Sequence, residues 1–372
     1  MRALEKAFQG GKAMLQTSRL KLLALSAGIA AIALCGAGLA RSIDSPAPSL
    51  PNPYRAAGAF GQLPAGRTWG ASSAVAVDAE GHIWVGERCG KNSCTDSNLD
   101  CILEFDSSGK LLKSFGGGLF AVPHSIYFDR AGNLWVTDSG EVRGPGSPPP
   151  DPAAHETKGH VAFKFSPDGK ILMTLGKPGV SGEGPDTFGG PNAVVQAANG
   201  DLFIADGHDP HKGNARIVKL TKDGKFIKEW GGHGSGPGQF EVPHALALDS
   251  KGRLFVADRA NQRIQIFDQD GNFVDAWKQF GAPSGIVIDR NDVIYVSDSQ
   301  SETYDPKGPR YNPGFEHGVH VGSAKDGKVT AFIPIPATPS ANNAPEGITV
   351  DAEGNVYTAD TILLGVWKYE KQ

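Results

Sequence analysis

One phrase recurs six times along the chain: a polar residue, a short apolar run, Asp, two residues, Gly or Asp, a second apolar run, then an acid. The clearest copies are PHSIYFDRAGNLWVTD (Pro123 to Asp138), PHALALDSKGRLFVAD (Pro243 to Asp258) and PEGITVDAEGNVYTAD (Pro345 to Asp360). A fixed internal register makes equivalent positions recognisable within one sequence. The position ahead of each first apolar run holds Ser73, His124, Asn192, His244, Ser284 and Glu346 in turn. Copies two, four and six therefore carry metal-competent side chains, and copies one, three and five do not.

Within each copy the apolar runs are rich in Val, Ile, Leu, Phe and Tyr and are bounded by Asp/Gly/Asn turns, the pattern of a hairpin. A third run follows, such as Val161 to Phe165 or Arg263 to Phe267, then a further turn and a fourth short run such as Phe226 to Trp230. Four antiparallel strands per unit and six units predict an all-β, six-bladed β-propeller. Abundant Gly (49) and Pro (26) suit many short strands joined by turns. A sandwich or jelly roll would not need the same phrase at six places.

The first strand of a propeller blade lies nearest the central channel, so residues at its start can face the axis. Alternate blades of six sit about 120° apart, so one side chain from each of blades two, four and six can meet at one point. His124, His244 and Glu346 are the expected metal ligands. Two imidazoles and a carboxylate with an open position suit zinc, and equally iron(II). The competing reading is a wet channel whose polar residues bind only water.

Ahead of the repeats, Arg2, Lys6, Lys12, Arg19 and Lys21 precede an uncharged apolar stretch from Leu22 to Ala40. Residues 1–41 read either as a secretory signal cut after Ala40 or as an uncleaved membrane anchor. A Pro/Ser/Gly-rich linker is expected over 42–68 and the propeller over 69–372. Both N-terminal alternatives imply export to a periplasmic or extracellular space, the second with membrane tethering. There, Cys89, Cys94 and Cys101 would form one local disulfide and leave one thiol over. A net charge of −4 gives no footprint for nucleic acid.

The stretch FEVPHALALDSKGRLFVADRANQRIQIF (Phe240 to Phe267) resembles a blade of peptidyl-α-hydroxyglycine α-amidating lyases, which are NHL-repeat propellers. VPHSIYFDRAGNLWVTD and GNARIVKLTKDGKFIKEWG are similar to two others, and the likeness runs roughly from Trp69 to Tyr369. The resemblance implies a zinc held by three histidines and cleavage of an α-hydroxyglycine peptide to an amide and glyoxylate. It assigns His124 and His244 to two ligand positions and Arg88 and Arg259 to the substrate-binding arginines. Such guanidiniums can hold a carboxylate in a bidentate pair.

Two positions depart from that family. Its third histidine falls on Glu346, and the acid that follows falls on Gly347, which counts against the family's structural calcium. Its catalytic tyrosine falls on His208, which could act as general base or as an added metal ligand with Asp209 and His211. The acids Asp138, Asp206, Asp258, Asp298 and Asp360 recur in almost every copy and read as turn-fixing groups. Insertions Ser139 to Gly159, containing His155, and Ser299 to His317, containing Tyr304 and Tyr311, are candidates for shaping access.

The leading expectation is an exported metal-dependent carbon–nitrogen lyase acting on a small-molecule or peptide substrate. A propeller hydrolase of lactones or esters is the second, and a non-catalytic NHL-repeat binding module the third.

Overall fold

The computed structural model describes residues 50–140, 157–210, 213–335 and 345–372. The described residues form 24 strands in six four-stranded sheets, every neighbouring pair antiparallel. The all-β six-bladed propeller is therefore as expected. Blade two is typical: Pro123–Phe128, Leu134–Asp138, Val161–Phe165 and Ile171–Gly176 pair in sequence order. The blade turns are made by short acidic side chains. Asp129 Oδ1, for example, accepts the backbone N–H groups of Ala131 and Asn133, both at 2.9 Å. The one helical turn described is a 3₁₀ turn at Arg259–Asn261.

Blade six closes the ring. Its first three strands are Pro345–Val350, Val356–Asp360 and Gly365–Lys371, and its fourth is Tyr54–Phe60 from the other end of the chain. Those seven residues were expected as linker. They are a strand because Tyr54 and Phe60 bury against the sixth blade while the residues between them face solvent. The expected signal or anchor over 1–41 lies outside the described residues. Among the described residues, no helix is long and apolar enough to cross a membrane.

Apolar packing is divided into six layers, each between neighbouring blades. Trp84 and Ile102 of blade one pack with Ile126 and Leu134 of blade two. Tyr357 and Val366 of blade six pack with Val75 and Val85 of blade one. Aromatic pairs cross these layers edge-on, as Trp84 with Phe128 at 5.7 Å between ring centres. With the core distributed this way, the apolar packing leaves the axis to polar side chains and open space. A cavity of about 490 Å³ runs there, lined by the first strands of all six blades.

Cys89 and Cys94 form a disulfide, and Cys101 is a buried free thiol. Most of the first insertion, His155 included, lies outside the described residues. The second insertion is tied down through Gln262, whose side-chain amide donates to the Tyr311 carbonyl at 3.3 Å.

Candidate metal centre

Every first strand carries a register irregularity at one place. The pairing skips between Ser72 and Ala74, Pro123 and Ile126, Pro191 and Ala193, Pro243 and Ala245, Pro283 and Gly285, and Pro345 and Gly347. The skipped positions include Ser73, His124, Asn192, His244, Ser284 and Glu346. A bulge of this kind re-aims a side chain out of the strand's alternation. Here it produces an inner ring with four links from a side chain to a carbonyl of the next blade. Ser73 Oγ donates to the Pro123 carbonyl (3.1 Å), His124 Nδ1 to Asn192 (2.9 Å), Asn192 Nδ2 to Pro243 (3.0 Å) and His244 Nδ1 to Ser284 (2.8 Å).

The strand-ending acids support this ring from behind. Asp138 accepts the N–H groups of Ala121 and Val122 at 2.8 and 2.7 Å, holding the segment that leads into His124. Asp258 accepts the Glu241 N–H and the Arg263 guanidinium, doing the same ahead of His244. Burial raises the pKa of both carboxyls, and the donated hydrogen bonds oppose it.

His124 and His244 meet at 4.6 Å between ring centres. The third imidazole is His208, 5.0 Å from His124 and 5.4 Å from His244. One ligand nitrogen from each of the three lies within 4.8 Å of the others. Glu346, expected as the third member by alternation around the ring, is engaged differently. Its carboxylate accepts from Arg259 Nη1 at 3.2 Å and lies 3.6 Å from Arg88 Nη2. The converging imidazoles thus come from adjacent blades two, three and four. The reason is local: His208 follows Gly207, at φ +143°, where an added Cβ would sit 2.0 Å from the Asn214 carbonyl oxygen. Only glycine lets the chain pass there, and Asn192 Nδ2 holds the Gly207 carbonyl at 2.8 Å. Asp209, expected as a companion ligand, is not in the converging group, and His211 lies outside the described residues.

The donor set fits a divalent cation. Donation from Nδ1 to a carbonyl leaves the Nε2 lone pair of His124 and His244 available, the arrangement that orients ligating imidazoles. His124 Nε2 is buried and has no hydrogen-bond partner, and both ring nitrogens of His208 are in the same condition. Burial lowers the His124 pKa to about 4, with Glu346 opposing and Arg88 reinforcing. Burial, together with neighbouring imidazoles and Arg259, takes His208 and His244 well below the ordinary histidine value. All three rings are neutral near pH 7, as ligands must be. The His244 Nε2 lone pair accepts from Arg259 Nη1 at 2.8 Å, so that guanidinium and a cation would compete for it.

Arg88 and Arg259 flank the imidazoles and converge on Glu346, which lines the axial cavity. Arg88 is further fixed by Asn92 Oδ1 (2.8 Å) and Ser73 Oγ (3.0 Å). Burial raises the Glu346 pKa, but Arg259 and Arg88 outweigh it and bring it down to about 2. Asn92, Asn192 and Gly207 were not legible as site residues, because their parts are played through backbone and neighbouring side chains.

A second cluster, Asp78, His82 and Glu104, lies in blade one. Glu104 faces Trp84 across the sheet as Lys164 faces Trp135 and Lys219 faces Phe203. Those lysines pair with Asp129 at 2.7 Å and Asp201 at 3.3 Å, whereas Glu104 pairs with His82 at 3.0 Å. Glu104 thus stands where those blades carry lysine, and it is also paired with Lys113 at 3.3 Å.

The NHL repeat family matches residues 240–267, within blade four. NHL repeat-containing protein 3 of Homo sapiens is 33% identical over 215 residues, covering 56% of this chain and 55% of that protein. Peptidyl-glycine alpha-amidating monooxygenase A of Xenopus laevis is 34% identical over 280 residues, 71% of this chain and 26% of that protein. A probable peptidyl-alpha-hydroxyglycine alpha-amidating lyase of Caenorhabditis elegans is 32% identical, covering 53% of this chain and 55% of that protein. The chain thus spans from a quarter to about half of these relatives' lengths. Among solved structures, the Xanthomonas campestris gluconolactonase superposes with a TM-score of 0.54 at 14% identity, covering 89% of this chain and 99% of that one. That likeness is one of fold.

Proposed function

We propose that the chain is a divalent-metal enzyme of the amidating-lyase kind, splitting an α-hydroxyglycine amide into a primary amide and glyoxylate. The observation that carries this reading is the convergence of three neutral imidazoles beside two buried guanidiniums, with His124, His244 and Glu346 reaching the axial cavity. The similarity to amidating enzymes over most of the repeats supports it. A zinc or iron(II) ion bound there would act as a Lewis acid on substrate oxygen. His124 and His244 would hold it through Nε2, each kept in one tautomer by its carbonyl partner. His208 would be the third ligand, since its ring nitrogen converges with those of His124 and His244. Arg259 and Arg88 orient the carboxylate that leaves as glyoxylate. In the balance of the reaction the hydroxyl proton ends on the departing amide nitrogen as the C–N bond breaks. The Cys89–Cys94 bridge supports placement in an oxidising, exported compartment.

A lactone or ester hydrolase is the second reading. Glu346 favours it, because both guanidiniums already face a carboxylate and do not require one from the substrate.

Purified protein is expected to hold about one transition-metal ion per chain. His124→Ala and His244→Ala are each expected to weaken metal binding at least about 100-fold, since disturbing a ligand's supporting partner alone costs 10–100-fold. Protein devoid of metal after expression in zinc- and iron-supplemented medium would favour the binding module. Glyoxylate release from an α-hydroxyglycine peptide, set against lactone hydrolysis, separates the two enzymes. His208→Ala should lose metal; retained metal with lost turnover would return His208 to the role of base.

A further inference from the structure

Arg88 and Arg259 come from different blades and converge on one acid, Glu346, at 3.6 and 3.2 Å, and Glu346 in turn lines the axial cavity. All three side chains are largely buried, at 9%, 6% and 13% exposure. Two fixed positive charges thus face one negative charge where little water screens them, and one unit of positive charge is left over. The hydrogen bonding is equally incomplete. Arg88 Nε and Arg259 Nε are buried donors without acceptors, and Glu346 Oε2 is a buried acceptor without a donor in hydrogen-bond range. A carboxylate seated in a well-matched guanidinium pair would engage two N–H groups of one fork. Glu346 instead touches each guanidinium at a single nitrogen. The donors are thus underused although an acid lies between them.

We propose that Glu346 is a built-in occupant of a carboxylate clamp formed by Arg88 and Arg259, so that an anionic ligand binds by displacing it. The clamp's affinity for small carboxylates is then set by Glu346, which acts as a specificity-determining residue. This deepens the reading of the axial pocket as a substrate site but does not depend on the metal. A ligand that offers both oxygens to the orphaned donors makes bonds that Glu346 leaves unmade, and this is what lets it compete. A ligand with a neutral end leaves Glu346 in place.

The test is calorimetric titration of glycolate into chelator-treated wild type and Glu346→Gln. Glu346→Gln keeps the side-chain volume and removes the competing charge. It is expected to bind glycolate at least about tenfold more tightly than wild type, as expected for removing a like charge from a poorly screened site. Equal or weaker binding overturns the proposal. Adding Arg88→Ala to Glu346→Gln should abolish the gain; a gain that persists places the anion elsewhere and also overturns it. Should Glu346→Gln fail to fold, Glu346→Ser serves in the same titration with the same expectation. Metal content is read separately. Glu346→Gln is expected to retain the wild-type stoichiometry, and loss of metal on this substitution alone would make Glu346 a ligand and sink the inference. Wild type that never holds metal would defeat the lyase reading and leave the glycolate result standing.

Discussion

His124 and His244 each commit one ring nitrogen to a carbonyl of the next blade and turn the other inward. That division of labour follows from a bulge at a fixed place in the repeat, which is why both residues could be picked out from the sequence register. His208 was legible only as a departure from a family pattern, because it sits after the second strand and outside that register. The partnering of Glu346 with Arg88 and Arg259 was not legible at all. It depends on where two long side chains end, which spacing does not encode. A buried neutral histidine has a consequence for stability. The His124 pKa is depressed in the folded chain, so between about 6.5 and about 4 the unfolded chain binds more protons. Stability of the chelated protein should therefore fall as pH drops through that window, by up to about 1.4 kcal/mol per unit for this one group. Urea denaturation at pH 7 and pH 5 checks it, and His124→Asn should reduce the difference, the remainder coming from His208 and His244.

The hairpin from Pro191 to Asp206 illustrates how an element rather than a residue makes the third ligand position. Asp206 accepts the N–H groups of Gly189 and Gly190 at 2.8 Å and the Arg216 guanidinium at 3.0 Å, so both ends of the hairpin are clamped. The chain then leaves the strand through Gly207 in a conformation that other residues rarely adopt. Gly207→Ala should destabilise the fold by roughly 1–3 kcal/mol, the range of strained backbone positions. It should also weaken metal binding about tenfold or more although no ligand is changed, since displacing a ligand's support is costly. Metal titration beside thermal melting distinguishes the two effects. In most blades the four strands were legible because apolar runs and Asp/Gly turns alternate with little interruption. The irregularity at the start of each first strand was not, since a bulge leaves no mark in an apolar run.

For the whole molecule, the six packing layers make each blade depend on both neighbours, and the strand Tyr54–Phe60 completes the last of them. This strand was not legible, because its alternation is interrupted by Gly58 and by the shift in pairing between Ala56 and Gly58. Phe60→Ala should cost about 3 kcal/mol or more, as for other buried aromatics cut to alanine. Arg55→Ala, with its side chain 64% exposed, should stay within about 0.5 kcal/mol. Chemical denaturation of the two variants tests whether the strand is integral to the ring.

Pairing of Tyr54 with Lys371 joins segments that lie near opposite ends of the sequence. The sixth blade cannot assemble until residues through Lys371 are free to pair with Tyr54–Phe60. Contacts so distant along the chain are slow to form. Until they form, the ring stays open between its first and last blades, and the final propeller locks only when these two distant segments meet.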